Sequence, residues 1–225
     1  MELTRNVLIV DDAELEQVIR QYNSIFIALK KEYSLNYDLN FIHVKLFDEA
    51  ISKLKSDEDI FDVLLIDYDI KSAGNTQTGD ELVKVIRETV NKHCKIIFYT
   101  MGDLSRIFAD RNELISLFNH GLFRFLSKDL STKNPKAFGP GPLQLRVESI
   151  IEAIDNIDFI QLTLERYFAE YGEFIKDERI SVEGNDYSIK DLINLIRRDD
   201  NVGRIYKNNL SESIILYSLL AGEKN

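Results

Sequence analysis

The stretch "FDVLLIDYDIKSAG" (61–74) decides the fold: an apolar run stops on Asp67, Asp69 follows after one residue, and a Gly-containing polar loop comes next. A run without polar alternation reads as a strand buried on both faces, the condition of a strand inside a parallel sheet covered by helices. Similar runs occur at "NVLIV" (6–10), "FIHVKLF" (41–47), "KIIFYT" (95–100) and "FRFLS" (123–127), with "VLLID" itself at 63–67. Stretches of helical period lie between them, near 13–33, 48–56, 79–91 and 106–119. Strand and helix alternate, so the sequence predicts an α/β fold, an open, doubly wound sheet of five parallel strands with right-handed crossovers. Ligands of such sheets sit beyond the carboxyl ends of the strands, so the residues that close each strand carry the chemistry.

Those residues are Asp11 and Asp12 after the first strand, Asp67 and Asp69 after the third, Thr100 at the end of the fourth and Lys128 just past the fifth. Two carboxylates about 4 Å apart repel by roughly 4 kcal/mol at an effective dielectric near 20. Several converging on one edge must hold a cation or take up protons. Mg²⁺ suits an all-oxygen site that leaves room for water and phosphate oxygens. Lys128 fits once a phosphoryl group joins: an ionised aspartate attacks phosphorus, metal and lysine neutralise the equatorial oxygens, and the Thr100 hydroxyl donates to one of them.

At 225 residues and 44% hydrophobic content, the chain can bury one substantial core and a small second one. It contains no apolar stretch of eighteen residues, and "MELTRNVLIVDD" lacks the marks of a signal peptide, so a cytoplasmic location without membrane association is expected. The single cysteine, Cys94, excludes an internal disulfide and a thiolate metal cluster. A net charge of −10 argues against a broad basic surface for nucleic acid or anionic lipid. His43, His93 and His120 show no ligand spacing and read as locally hydrogen-bonded or solvated.

Taken in order, "VLIVDD", "FDVLLID", "IIFYT" and "FRFLSK" resemble the receiver domain of two-component response regulators, over residues 5 to about 130. The resemblance implies a flavodoxin-like sheet in which Asp67 is the phosphoacceptor, Asp11, Asp12, Asp67 and the backbone carbonyl of Asp69 bind Mg²⁺, Thr100 senses the phosphoryl group and Lys128 pairs with it. Phe125, three residues before the lysine, stands where an aromatic rotameric switch is often found. The implied partner is a histidine kinase or phosphotransfer protein, and self-dephosphorylation is the most that is expected of the chain as an enzyme. The sequence departs from the pattern at Asp129, where a proline is usual, at Met101, where a small residue is usual, and in the loop from Asp67 to Gly79, about four residues longer than usual. Met101 and the loop bear on access to the acceptor. Residue by residue, blander readings exist: Asp11 or Asp12 as a helix cap, Phe125 as core, Thr100 and Lys128 as an ordinary strand-end hydroxyl and a solvated lysine.

The remainder divides into 143–178 and 179–225, so that the domains read as a receiver over 1–142, a long helix, and a small, mainly helical output module. "DLSTKNPKAFGPGPL" (129–143) contains all three prolines and reads as a hinge. Beyond it Leu143, Val147, Ile150, Ile154, Ile157, Gln161, Leu164, Phe168, Tyr171 and Ile175 follow four-and-three spacing. That heptad seam predicts one helix about 50 Å long, the receiver's last helix extended, and a homodimer through 143–175, unless the seam is covered by the chain itself. A turn near Gly184-Asn185, a helix "IKDLINLIRR" capped by Ser188 and Asp191, and one or two short helices to about Leu220 complete the chain. Arg197, Arg198, Arg204 and Lys207 cluster there, but from residue 141 onward 10 Lys/Arg face 16 Asp/Glu, a net of −6, so a protein output is favoured over DNA.

Three other functions stand beside the leading one: an unphosphorylated pseudo-receiver scaffold, a DNA-binding response regulator, and a phosphatase of the haloacid-dehalogenase type, whose Asp-x-Asp motif "IDYDIKS" resembles. In that family the motif lies on the first strand, the reverse of the order here.

Overall fold

A computed structural model describes residues 3–56, 60–70, 78–90, 94–100, 108, 110–127 and 141–222. The chain divides into two compact units, Thr4–Asn156 and Ile157 onward, the second of which also takes in Leu3.

The first unit holds a five-stranded sheet in the order β2-β1-β3-β4-β5. Its strands are β1 (Leu3–Val10), β2 (Tyr37–Val44), β3 (Val63–Asp67), β4 (Lys95–Thr100) and β5 (Leu122–Ser127). The β1/β3, β3/β4 and β4/β5 pairs are parallel. The continuous apolar runs at 6–10, 63–67 and 95–100 are these inner strands, buried on both faces. One face, with Leu8, Val10, Leu64, Ile66, Ile96 and Phe98, packs under α2 (Phe47–Lys55), α3 (Gly79–Val85) and α4 (Arg111–Asn119). The alternate residues Val7, Ile9, Val63, Leu65, Ile97 and Tyr99 point to the other face, where α1 (Glu16–Tyr33) and α5 (Pro142–Asp155) pack together.

Two local readings shift. β2 occupies 37–44 rather than 41–47, because Phe47 already turns inward as the first residue of α2. α3 continues as a π-helical turn, Ile86–Val90.

The single helix expected over 143–176 is two helices. α5 ends at Asp155 with Asn156 as its C-cap, and α6 (Phe159–Ile175) starts on Asp158, whose side chain accepts from the Gln161 N–H at 3.1 Å. A capping aspartate satisfies the first free N–H groups of a helix, which favours a new start here over continuation. The first half of the seam is filled by its own unit: Val147, Ile150 and Ile154 are fully buried, on a helix packed against α1 and the strands. These positions are therefore no surface for a coiled-coil dimer.

In the second unit, β6 (Arg179–Val182) and β7 (Asn185–Ser188) form an antiparallel hairpin. Its turn lies on Glu183 and Gly184, at φ of 51° and 83°, one residue earlier than the sequence suggests. α7 (Ile189–Arg197) begins as expected, with Ser188 Oγ accepting from the Asp191 N–H at 3.1 Å. In place of one or two short helices there is one of 22 residues, α8 (Asn201–Gly222). Val182, Leu192 and Ile196 form the core of this module, joined by Leu164, Val202, Ile205 and Tyr206.

Candidate functional site

Adjacent parallel strands end at a common edge, and the register fixes which residues meet there. Val10 pairs with Ile66 and Asp67 with Tyr99, so the chain leaves β1 through Asp11 and Asp12 beside the Asp67 end of β3. One carboxylate oxygen from each of Asp11, Asp12 and Asp67 lies within 4.8 Å of the other two. Asp11 and Asp67 are almost wholly buried and Asp12 is half-buried. Thr100, fully buried, closes β4 one residue after the partner of Asp67, and pairs with Ser127 of β5.

The helix-cap reading of the first acidic pair fails, because α1 begins only at Glu16 with Leu15 at its N-cap. Besides the Val44 carbonyl, which accepts its N–H at 3.2 Å, three named groups hold Asp11. Its Oδ1 accepts from the Ala13 N–H (3.0 Å), and His43 Nε2 donates to its carbonyl (2.7 Å). The third is Tyr99, whose hydroxyl donates to Asp11 Oδ2. Since β3 lies between β1 and β4, whose backbones stand two strand spacings or roughly 10 Å apart, the phenol and the Asp11 side chain together span the Asp67 strand. Burial, and after it the Asp11 carboxylate, push the Tyr99 phenol well above its ordinary pKa, so it remains a donor. The guanidinium of Arg146, on α5, sits 4.8 Å over the Tyr99 ring and donates to the Tyr22 hydroxyl at 2.9 Å. This chain links the acidic edge to the last helix of the unit.

Sequence reasoning passed over Tyr99, although a tyrosine closing an apolar strand is a signal, since a buried phenol needs a partner. Tyr99→Phe removes one donor from a buried carboxylate. It is expected to lower stability by about 1–3 kcal/mol in urea denaturation, and a loss below about 0.5 kcal/mol would sink this account.

Gly79 is the other residue the sequence reading did not single out. It opens α3, donates its N–H to the Tyr68 carbonyl at 2.8 Å, and lies so close to β3 that a Cβ would stand 2.0 Å from the Asp67 carbonyl oxygen. Asp69, two residues beyond Asp67, has an exposed side chain. Phe125 is half-buried, the cross-strand partner of Phe98 with ring centroids 5.5 Å apart. Phe98 also meets the edge of Tyr68, at 6.3 Å. An aromatic row therefore runs from β5 to the residue after Asp67. Lys128, Met101, Asp129, His93 and loop residues 71–77 lie outside the described residues. His120 Nδ1 donates to the Ser116 carbonyl at 2.6 Å, the local role expected of it.

No protein-family model matches the sequence, and no curated protein matches it. Solved structures do. A response regulator receiver protein from Pseudomonas putida is 19% identical over 68% of this chain and 99% of its own, with a TM-score of 0.44. A receiver domain protein from Clostridium thermocellum is 15% identical over 67% and 94%, with a TM-score of 0.45. RcsB from Salmonella enterica serovar Typhimurium, in a structure bound to a promoter with a phosphomimetic, is 17% identical over 92% and 99%, with a TM-score of 0.42. The first unit has a flavodoxin-like fold. Its sheet order, 2-1-3-4-5, and its two helical layers are those of the doubly wound flavodoxin-like type, the fold that the receiver resemblance implies. Among the described residues of the receiver unit and the rest of the chain, no helix is long and apolar enough to cross a membrane.

Proposed function

We propose that the protein is a response regulator whose Asp67 accepts a phosphoryl group from a histidine kinase or phosphotransfer protein. The observation that carries this reading is the convergence of Asp11, Asp12 and Asp67 at one sheet edge. Three carboxylates, two of them buried, form an all-oxygen donor set that suits Mg²⁺. Asp11, Asp12, Asp67 and the Asp69 carbonyl would hold the ion, whose charge would offset the oxygens of an incoming phosphate. Asp67, at the end of a rigid central strand, presents the nucleophilic oxygen. Tyr99 and the Ala13 N–H hold the Asp11 carboxylate in place, the Thr100 hydroxyl donates to a phosphoryl oxygen, and Lys128 supplies the balancing cation. The chain is an acceptor and not an enzyme, beyond a slow loss of its own phosphoryl group.

A protein output is supported by the module's own ion pairs. Arg197 meets Glu165 at 3.5 Å, Arg204 meets Asp199 at 3.8 Å and Lys207 meets Asp158 at 3.5 Å. Cations engaged in this way are poorly placed to neutralise a phosphate backbone.

Intact mass after incubation with Mg²⁺ and acetyl phosphate, then with a histidine kinase, tests the reading. One added phosphoryl group that is absent from Asp67→Ala is expected. A wild-type chain left unmodified by both donors would make the receiver unit a scaffold, and modification persisting in Asp67→Ala would place the acceptor elsewhere.

A further inference from the structure

We propose that a second copy of this chain covers the C-terminal half of α8, so that the protein pairs through its second unit. Leu164, a turn and a half into α6, shares the module core with Val202, Ile205 and Tyr206, whereas Asp158 at the start of α6 is met by Lys207. α8 therefore runs against α6 and passes its first residue near position 207. The twelve residues after Leu210 extend about 18 Å farther at 1.5 Å per residue.

From 213 to 222 this extension has no charged side chain. Four consecutive apolar residues, Ile214 to Tyr217, go round the whole helix at about 100° each. These four, with Leu219 and Leu220, are each more than half exposed. A helix apolar on every side is the pattern of a buried helix.

The same unit has a second uncovered apolar feature. Tyr167, Tyr171 and Phe174 lie at i, i+4 and i+7 on α6, 53%, 40% and 86% exposed. Each copy thus offers a projecting apolar rod and an apolar stripe. Two copies related by a two-fold axis set the rod of each on the stripe of the other, an isologous contact that closes on itself. Rod and stripe together expose on the order of 1,000 Å² per chain, against the ~800 Å² per partner of a stable standard interface.

Lipid is the poorer occupant. Ten uncharged residues make a helix of about 15 Å, half the ~30 Å hydrocarbon layer, preceded by Glu212 on a chain of net charge −10.

Light scattering after size exclusion, on the unphosphorylated 225-residue chain, tests the pairing apart from the function proposed above. At about 100 µM the wild type is expected at twice the chain mass. Leu216→Glu on the rod and Phe174→Glu on the stripe alter exposed side chains. Both should keep the wild-type circular dichroism and each should weaken pairing on the order of 30-fold or more. A monomeric wild type, with or without binding to anionic vesicles, overturns the proposal. So does a dimer that survives either substitution.

Discussion

Asp62→Ala is expected to lower the stability of the receiver unit by about 3–5 kcal/mol. Arg5 and Asp62 pair at 3.3 Å with side chains 1% and 2% exposed, at the amino ends of the strands and opposite the acidic edge. The carboxylate also accepts from the Asn6 N–H at 3.0 Å, while the Asp62 backbone bonds to Asn6 and, through its carbonyl, to the Lys95 N–H. One residue therefore ties together β1, β3 and β4 where the sheet begins. Alanine would leave a guanidinium buried without that carboxylate, and desolvation of a charge costs more than the cavity left behind. In urea the midpoint should fall by roughly 2 M for a slope near 2 kcal/mol/M. The double substitution Arg5→Met with Asp62→Leu should recover much of this loss, because it removes both charges together. A loss under about 1 kcal/mol in Asp62→Ala, or a double variant as unstable as the single, would mean that the pair is solvated and that this argument fails.

Whether a feature is legible in sequence depends on how many residues encode it. The inner strands were readable because burial on both faces demands continuous apolar runs, and a polar group closing such a run stands out, as Asp11, Asp67 and Thr100 do. The order of those strand ends was enough to bring the acidic group together. β2, by contrast, is an edge strand that alternates polar and apolar residues, and its pattern merges into the first turn of α2. The heptad spacing over 143–175 was real in α5, but its partner is the chain's own sheet and α1; spacing tells that a face is buried and not by what. The break at Asn156–Asp158 is marked by a single capping carboxylate, a local signal inside a periodicity that runs unbroken through it. Tyr99 and Gly79 act through contacts across strands, with Asp11 and with the Asp67 carbonyl, which only the folded register creates.

Gly79 carries the second large effect, because it links stability to chemistry through one atom. A methyl group there would lie 2.0 Å from the Asp67 carbonyl oxygen and 3.0 Å from the Tyr68 Cα, and both neighbours are backbone, which cannot rotate away. The start of α3 or the end of β3 must move by an ångström or more, carrying Asp67 with it. Gly79→Ala is expected to cost about 1–3 kcal/mol in stability, the usual range for overpacking a filled site. Its effect on phosphoryl uptake should be larger, because a reacting group displaced by about 1 Å can lose on the order of 100-fold in rate. Gly141→Ala is the control: among the described residues, its chain neighbours apart, no atom lies within 4 Å of its Cβ position, and its stability and uptake should match wild type. The measurement is the rate of mass increase with acetyl phosphate and Mg²⁺ at a urea concentration where all three proteins remain folded. A Gly79→Ala chain that is stable and takes up phosphoryl at the wild-type rate would show that the contact between α3 and the acceptor strand does not position Asp67. A chain that is destabilised and slow, beside a normal Gly141→Ala, would show that Asp67 is positioned by Gly79, whose lack of a side chain lets α3 start against the end of β3.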